Sequence, residues 1–146
     1  MTRADTIRDL EQEVGVLIRR IRRVIGTRAR EVHESLQPAS YLILAHLAEA
    51  GPTRASSIVE HFDIDKGAIS RQVAHLVDLG LVECTPDPDD GRARLISVTD
   101  EARRRMEDVG THRRKLVAER LGDWPERDLA RFVTDLARYN EALSDL

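Results

Sequence analysis

The sequence predicts a mostly α-helical protein that carries one small β-ribbon. Three observations lead there. Of 146 residues, 34% are charged and only 3% aromatic, and the helix formers Leu, Ala, Arg and Glu dominate. Both ends of the chain carry heptad-spaced apolar residues. Between them, the stretch GLVECTPDPDDGRARLISVT, from Gly80 to Thr99, has the turn chemistry and alternation of a two-stranded ribbon with a charged tip.

The first helix is expected from about Asp5 to Leu36. Its apolar residues Ile7, Leu10, Val14, Leu17, Ile21 and Val24 step by three, four, three, four and three, a seam that calls for a partner surface. Pro38 then suits the first position of a helix ending near Ala50, ahead of Gly51-Pro52, with Tyr41, Leu42, Leu44, Ala45 and Leu47 as its apolar face. A short helix follows, about Ala55 to Phe62, burying Ile58, Val59 and Phe62. The turn Asp63-Ile64-Asp65 comes next: Asp63 tolerates a left-handed backbone and Asp65 is a good N-cap. The helix from Lys66 to Leu79 has Ile69, Val73, Leu76 and Val77 inward, and Gly80 stops it.

In the ribbon, the first strand is Leu81 to Cys84 and the return strand Arg92 to Val98, with Leu95 on one face and Ile96 and Val98 on the other. A helix from about Asp100 to Leu121 follows. Asp123 and Glu126 have the spacing of a capping box, with Trp124 and Pro125 in the first turn. The last helix repeats the seam at Leu129, Phe132, Leu136, Tyr139 and Leu143. Two helices joined by a tight turn and followed by a β-ribbon make a winged helix-turn-helix. The chain thus divides into an N-terminal dimerisation helix (1–36), a winged helix-turn-helix domain (37–99) and C-terminal dimerisation helices (100–146). Two seams on one chain are most simply satisfied by a two-fold homodimer.

Charge sets a constraint. The whole chain carries −3, and residues 52–98 hold five basic and eight acidic side chains, again −3. Any contact with DNA must rest on a few placed cations. No nucleophile–base pair, glycine-rich phosphate loop or paired-carboxylate motif stands out, so the chain does not read as an enzyme and implies no cofactor. The start MTRADTIRDLEQE is too polar for a signal peptide, and no apolar run is long enough to span a membrane; a cytoplasmic location is the expectation.

With the buried face of the Lys66–Leu79 helix subtracted, Lys66, Gly67, Ala68, Ser70, Arg71, Gln72 and His75 remain outward near its start. A recognition helix presents such residues to double-stranded DNA in the major groove: Arg71 to guanine, Gln72 to adenine, Ala68 to a thymine methyl. Gly67 and Ala68 are small enough for close approach, and Lys66, with the helix N-terminus, suits phosphate. Arg54, just before the short helix, is a further candidate cation. At the ribbon tip, Asp90 is placed to orient Arg92 for a minor groove, and Arg94 lies on the same side to reach a phosphate.

GLVECTPDPDDGRARLISVTDEA resembles the wing of the MarR (multiple antibiotic resistance regulator) family of bacterial transcription factors, whose D-x-R motif is matched by Asp90 and Arg92. ISRQVAHLVDLGLVE is similar to the family's recognition helix and its exit into the wing, and the order of elements matches from end to end. The resemblance implies a winged-helix homodimer that binds a pseudo-palindromic operator, usually as a repressor, and implies that helix N-termini and a few arginines suffice for DNA. The chain departs from the family pattern at Cys84, where many relatives have a basic residue, and at Asp63, where glycine is common in the turn.

A small-molecule effector is expected in the crevice between the dimerisation helices and the winged helix, near Ile18, Arg22, Tyr41, His46 and His112. Cys84 is the single cysteine. It reads as a small buried hydrophobe rather than a redox switch, because oxidant-sensing relatives carry their cysteine near the first helix. The five histidines include no i, i+4 pair, and no metal site is expected. The rival reading is a winged-helix protein–protein module, which the acidic balance suits; arginines flanking an aspartate at the wing favour DNA.

Overall fold

The computed structural model describes all 146 residues, Met1 to Leu146. In chain order it contains α1 (Arg3–Val32), α2 (Pro38–Ala50), β1 (Thr53–Arg54), α3 (Ala55–Phe62), α4 (Lys66–Asp78), β2 (Val82–Pro86), β3 (Arg94–Val98), α5 (Asp100–Arg120) and α6 (Glu126–Ala142). The chain divides into two units, Met1–Val109 and Gly110–Leu146.

The first unit is built around one apolar core. Leu44 and Leu47 of α2, Ile58 of α3, Ile69 and Leu76 of α4, Leu81, and Ile96 of β3 are essentially fully buried together. The sheet is antiparallel with strand order β1-β3-β2. Val82 pairs with Val98, Cys84 with Ile96 and Pro86 with Arg94. Since Ile96 and Val98 are buried and Leu95 only half-buried, the predicted alternation of the return strand holds. The strand β1 escaped prediction because two residues carry no periodicity; Thr53 and Arg54 pair with Ile96 and Leu95.

The first helix stops four residues earlier than its apolar pattern suggests. His33 is extended (φ −157°), and Gln37 is held extended by the ring of Pro38 behind it. In the intervening turn the Ser35 N–H donates to His33 Nδ1 at 3.0 Å. On α2 the inward set differs by one residue: Ile43 is buried, and Leu42 is exposed. On α4, Val77 likewise points out of the core. Within this unit the start of α5 is tied to the helix ends: Thr99 Oγ1 accepts from the Ala102 N–H at 3.2 Å, and Arg105 donates to the Val32 carbonyl at 3.2 Å.

In α1 the only buried residues are Gly26, Ala29 and Val32; the seam residues Ile7, Leu10, Leu17 and Ile21 all face solvent. The second unit comprises the end of α5 and α6. No residue of α6 is buried, and Phe132, Val133, Leu136 and Leu143 are exposed. Trp124 meets Phe132 edge-on at 5.8 Å between ring centroids. The Asp123–Glu126 capping box does not form: α6 starts at Glu126 with Pro125 at the N-cap and no side-chain cap bond. Proline fits the cap dihedrals, and this places Glu126 at the first helical position rather than the third.

Candidate nucleic-acid interface

The start of α4 is set by three local devices. Asp63 adopts the left-handed conformation (φ 50°, ψ 44°) that turns the chain between α3 and α4. Asp65 then caps α4, its carboxylate accepting from the Ala68 N–H at 3.1 Å. Gly67 leaves room for that cap: a Cβ there would come within 2.9 Å of the Asp65 carboxylate and push it aside. The sequence suggested a small residue for close approach to bases, and the structure adds this internal reason.

The outward face of α4 is narrower than expected. Lys66, Ser70 and Arg71 are exposed, and Gly67 and Ala68 are half-buried. His75 and the oxygen end of the Gln72 amide are engaged within the protein. Ser40, fully buried in the first turn of α2, donates its hydroxyl to Gln72 Oε1. His75 Nε2 donates to the Ser35 carbonyl at 3.1 Å; a carbonyl only accepts, so this nitrogen carries the proton. The apolar pattern of α4 hides this: both side chains lie on the flank of the buried stripe and are long enough to turn inward.

Arg54 is also not a free cation. Its Nε and Nη2 both reach Asp87 Oδ2, at 2.7 and 2.5 Å, across from β1 to the wing. Asp87 is only 7% exposed, and its Oδ1 accepts from the Asp89 N–H at 2.9 Å. That backbone donor, and after it the Arg54 side chain, hold the Asp87 carboxyl below the usual carboxylate range. The wing is therefore anchored where its tip loop leaves β2 by an ion pair that sequence reading missed. An aspartate inside a Pro-Asp-Pro turn looks like any solvated turn residue; only the pairing of β1 with β3 brings Arg54 to it.

At the tip, Asp90 Oδ1 accepts from the Arg92 backbone N–H at 3.1 Å. The expected bond to the Arg92 guanidinium is replaced by one that shapes the turn, and the side chain of Arg92 stays exposed. Arg94 donates to the Cys84 carbonyl at 3.1 Å, on the wing itself. Lys66, Arg71 and Arg92 make no ion pair.

Of the residues expected around an effector, Ile18, Arg22, Tyr41 and His46 belong to the first unit and His112 to the second. Tyr41 belongs to the core of the first unit. His46 stacks on His61, with ring centroids 3.9 Å apart, and meets Phe62 edge-on, so it faces α3. Ile18 and Arg22 are exposed on α1, and His112, in the second unit, is exposed on α5. A shallow cavity of 410 Å³ lies along α4 and the sheet, lined by Ile69, Val73, Val77, Cys84 and Ile96 among others. Cys84 is half-buried there. No group of three or more His, Cys, Asp or Glu side chains is close enough to hold a metal ion.

A helix-turn-helix whose second helix runs into a β-ribbon, closed by a third strand before the first short helix, is a winged helix-turn-helix protein. The MarR family model matches residues 35–93. The HTH-type transcriptional regulator YxaD of Bacillus subtilis (strain 168) is 30% identical over 136 residues, covering 93% of this chain and 94% of its own. The chain belongs to the MarR family. Among solved structures, RV1404 from Mycobacterium tuberculosis superposes with a TM-score of 0.81 at 22% identity, covering 99% of this chain and 97% of its own. FabT of Streptococcus pneumoniae, solved in complex with DNA, gives a TM-score of 0.80 at 12% identity, covering 95% of this chain and 98% of its own. At those identities the likeness is one of fold.

Proposed function

We propose that this protein is a DNA-binding transcriptional regulator that acts as a homodimer on a pseudo-palindromic operator and represses by occluding a promoter. The observation that carries the reading is the placement of Lys66, Arg71 and Arg92. All three are exposed cations that make no ion pair, two on the first turns of α4 and one at the wing tip, in a module where eight acidic side chains outnumber five basic ones. The α4 helices enter successive major grooves and the wings reach the flanking minor grooves. Residues 37–99 read DNA, and residues 1–36 and 100–146 join the two copies through the apolar seams of α1 and α6, which their own chain leaves exposed. The protein works in the cytoplasm, where the DNA is. A small molecule bound between the dimerisation helices and the winged helix changes the separation of the recognition helices and favours release.

Within this reading, Lys66, Ser70, Arg71 and Gln72 contact DNA directly, together with the backbone at Gly67 and Ala68, and Arg92 inserts at the wing. Arg54 and Asp90 support the wing's shape. The test is a protection footprint of the full chain on the DNA upstream of its own gene. Two protected half-sites one helical turn apart are expected. A protein that protects no DNA there or in a random library, while capturing a protein partner through the winged helix, would replace this reading with the protein–protein one.

A further inference from the structure

The clamp on the flank of α4 has a consequence for which base is read. A glutamine pairs with adenine by using both ends of its amide: Oε1 accepts from N6, and Nε2 donates to N7. Here Oε1 is turned inward, toward the hydroxyl of Ser40, which is fully buried. The amide is planar and its two heavy ends diverge, so turning the oxygen to the core turns the NH₂ outward. One turn further along α4, the bond from His75 to the Ser35 carbonyl pins the same flank, so a small rotation of the helix does not release Gln72.

We infer that Ser40, though buried and unable to touch DNA, is a specificity-determining positioning residue. It holds Gln72 as a donor-only contact, which matches the acceptor edges of guanine (O6, N7) or thymine (O4) and rejects the two-bond pairing with adenine. The inference rests on the proposed DNA reading and adds a base preference that the exposed side chains alone do not predict.

The test is selection of operators from a library randomised across one half-site, using the full chain, with thermal melting run alongside to verify folding. Ser40→Ala frees Oε1, and adenine should gain about tenfold over guanine or thymine at one position of each half-site. That gain should vanish in Ser40→Ala with Gln72→Ala. Gln72→Glu keeps an oxygen for Ser40 and turns an acceptor outward, so the same position should switch toward bases that offer a donor, cytosine or adenine. This second variant serves if Ser40→Ala melts. A profile unchanged by both Ser40→Ala and Gln72→Glu overturns the inference, as does a wild type that already selects adenine where Gln72→Ala relaxes preference. If the wild type selects no sequence at all, the DNA reading itself fails and this inference with it.

Discussion

Replacing Arg92 by alanine separates the wing's role in binding from any role in folding. In the free protein the Arg92 side chain is exposed, makes no ion pair, and contributes only its backbone N–H to the bond with Asp90. Alanine keeps that N–H. Exposed substitutions of this kind change stability by no more than about 0.5 kcal/mol. In the proposed complex the guanidinium would meet acceptors and phosphate in a narrow groove, where a charge-assisted bond contributes roughly 1.5–3 kcal/mol. A dimer has two wings, so the loss counts twice. Even if most of each contact is recovered by water, affinity should fall at least tenfold, which is about 1.4 kcal/mol. Asp90→Ala should cost less, because it loosens the turn without removing the cation. Fluorescence anisotropy on the footprinted operator at one salt concentration, paired with thermal melts, reads both effects. An Arg92→Ala protein that binds as the wild type does, or that loses binding together with its melting transition, refutes the wing assignment.

Leu47 is completely buried between α2 and the rest of the core, so Leu47→Ala should destabilise the protein by about 2–5 kcal/mol in urea unfolding, and a loss under about 1 kcal/mol would contradict the packing described. The Asp87 carboxyl is held below its ordinary 3.8; its contribution to stability is therefore present above that pH and is lost as pH falls through the lower folded value. Acid unfolding should accordingly begin at higher pH in Arg54→Met than in the wild type, and coincident acid limbs would show that the ion pair does not anchor the wing. Leu17→Asp with Leu136→Asp puts a charge in each seam and should abolish the dimer; sedimentation of the wild type as a well-folded monomer at micromolar concentration would contradict the dimer itself.

Much of the architecture was legible because helices and their punctuation are local. Pro38, Asp65 and Gly80 each act within one turn of their own position, and the bounds of α2 and α3 follow from the sequence to the residue. The order of elements, the ribbon and its buried face were equally readable from alternation and turn residues. What escaped depends on contacts between segments far apart in the chain. The strand β1 exists only because β3 pairs with it. The anchor from Arg54 to Asp87 spans 33 residues, and the bond from Ser40 to Gln72 spans 32. Such long-range polar bonds leave no periodic trace, and in the free protein they engage Arg54, His75 and the oxygen end of the Gln72 amide. The false capping box at Asp123 shows the converse: the spacing was correct, but Pro125 took the cap position.

The most direct test of the central claim is the salt dependence of operator binding by the wild type, Lys66→Ala and Arg71→Ala. With so few unpaired cations in an acidic module, log K should fall linearly with log salt. Lys66→Ala should lower the slope by roughly one per half-site while weakening all operators evenly. Arg71→Ala should relax preference at one base by about 1–3 kcal/mol. Binding that is insensitive to salt, or unaltered by both substitutions, would mean that this face does not read DNA.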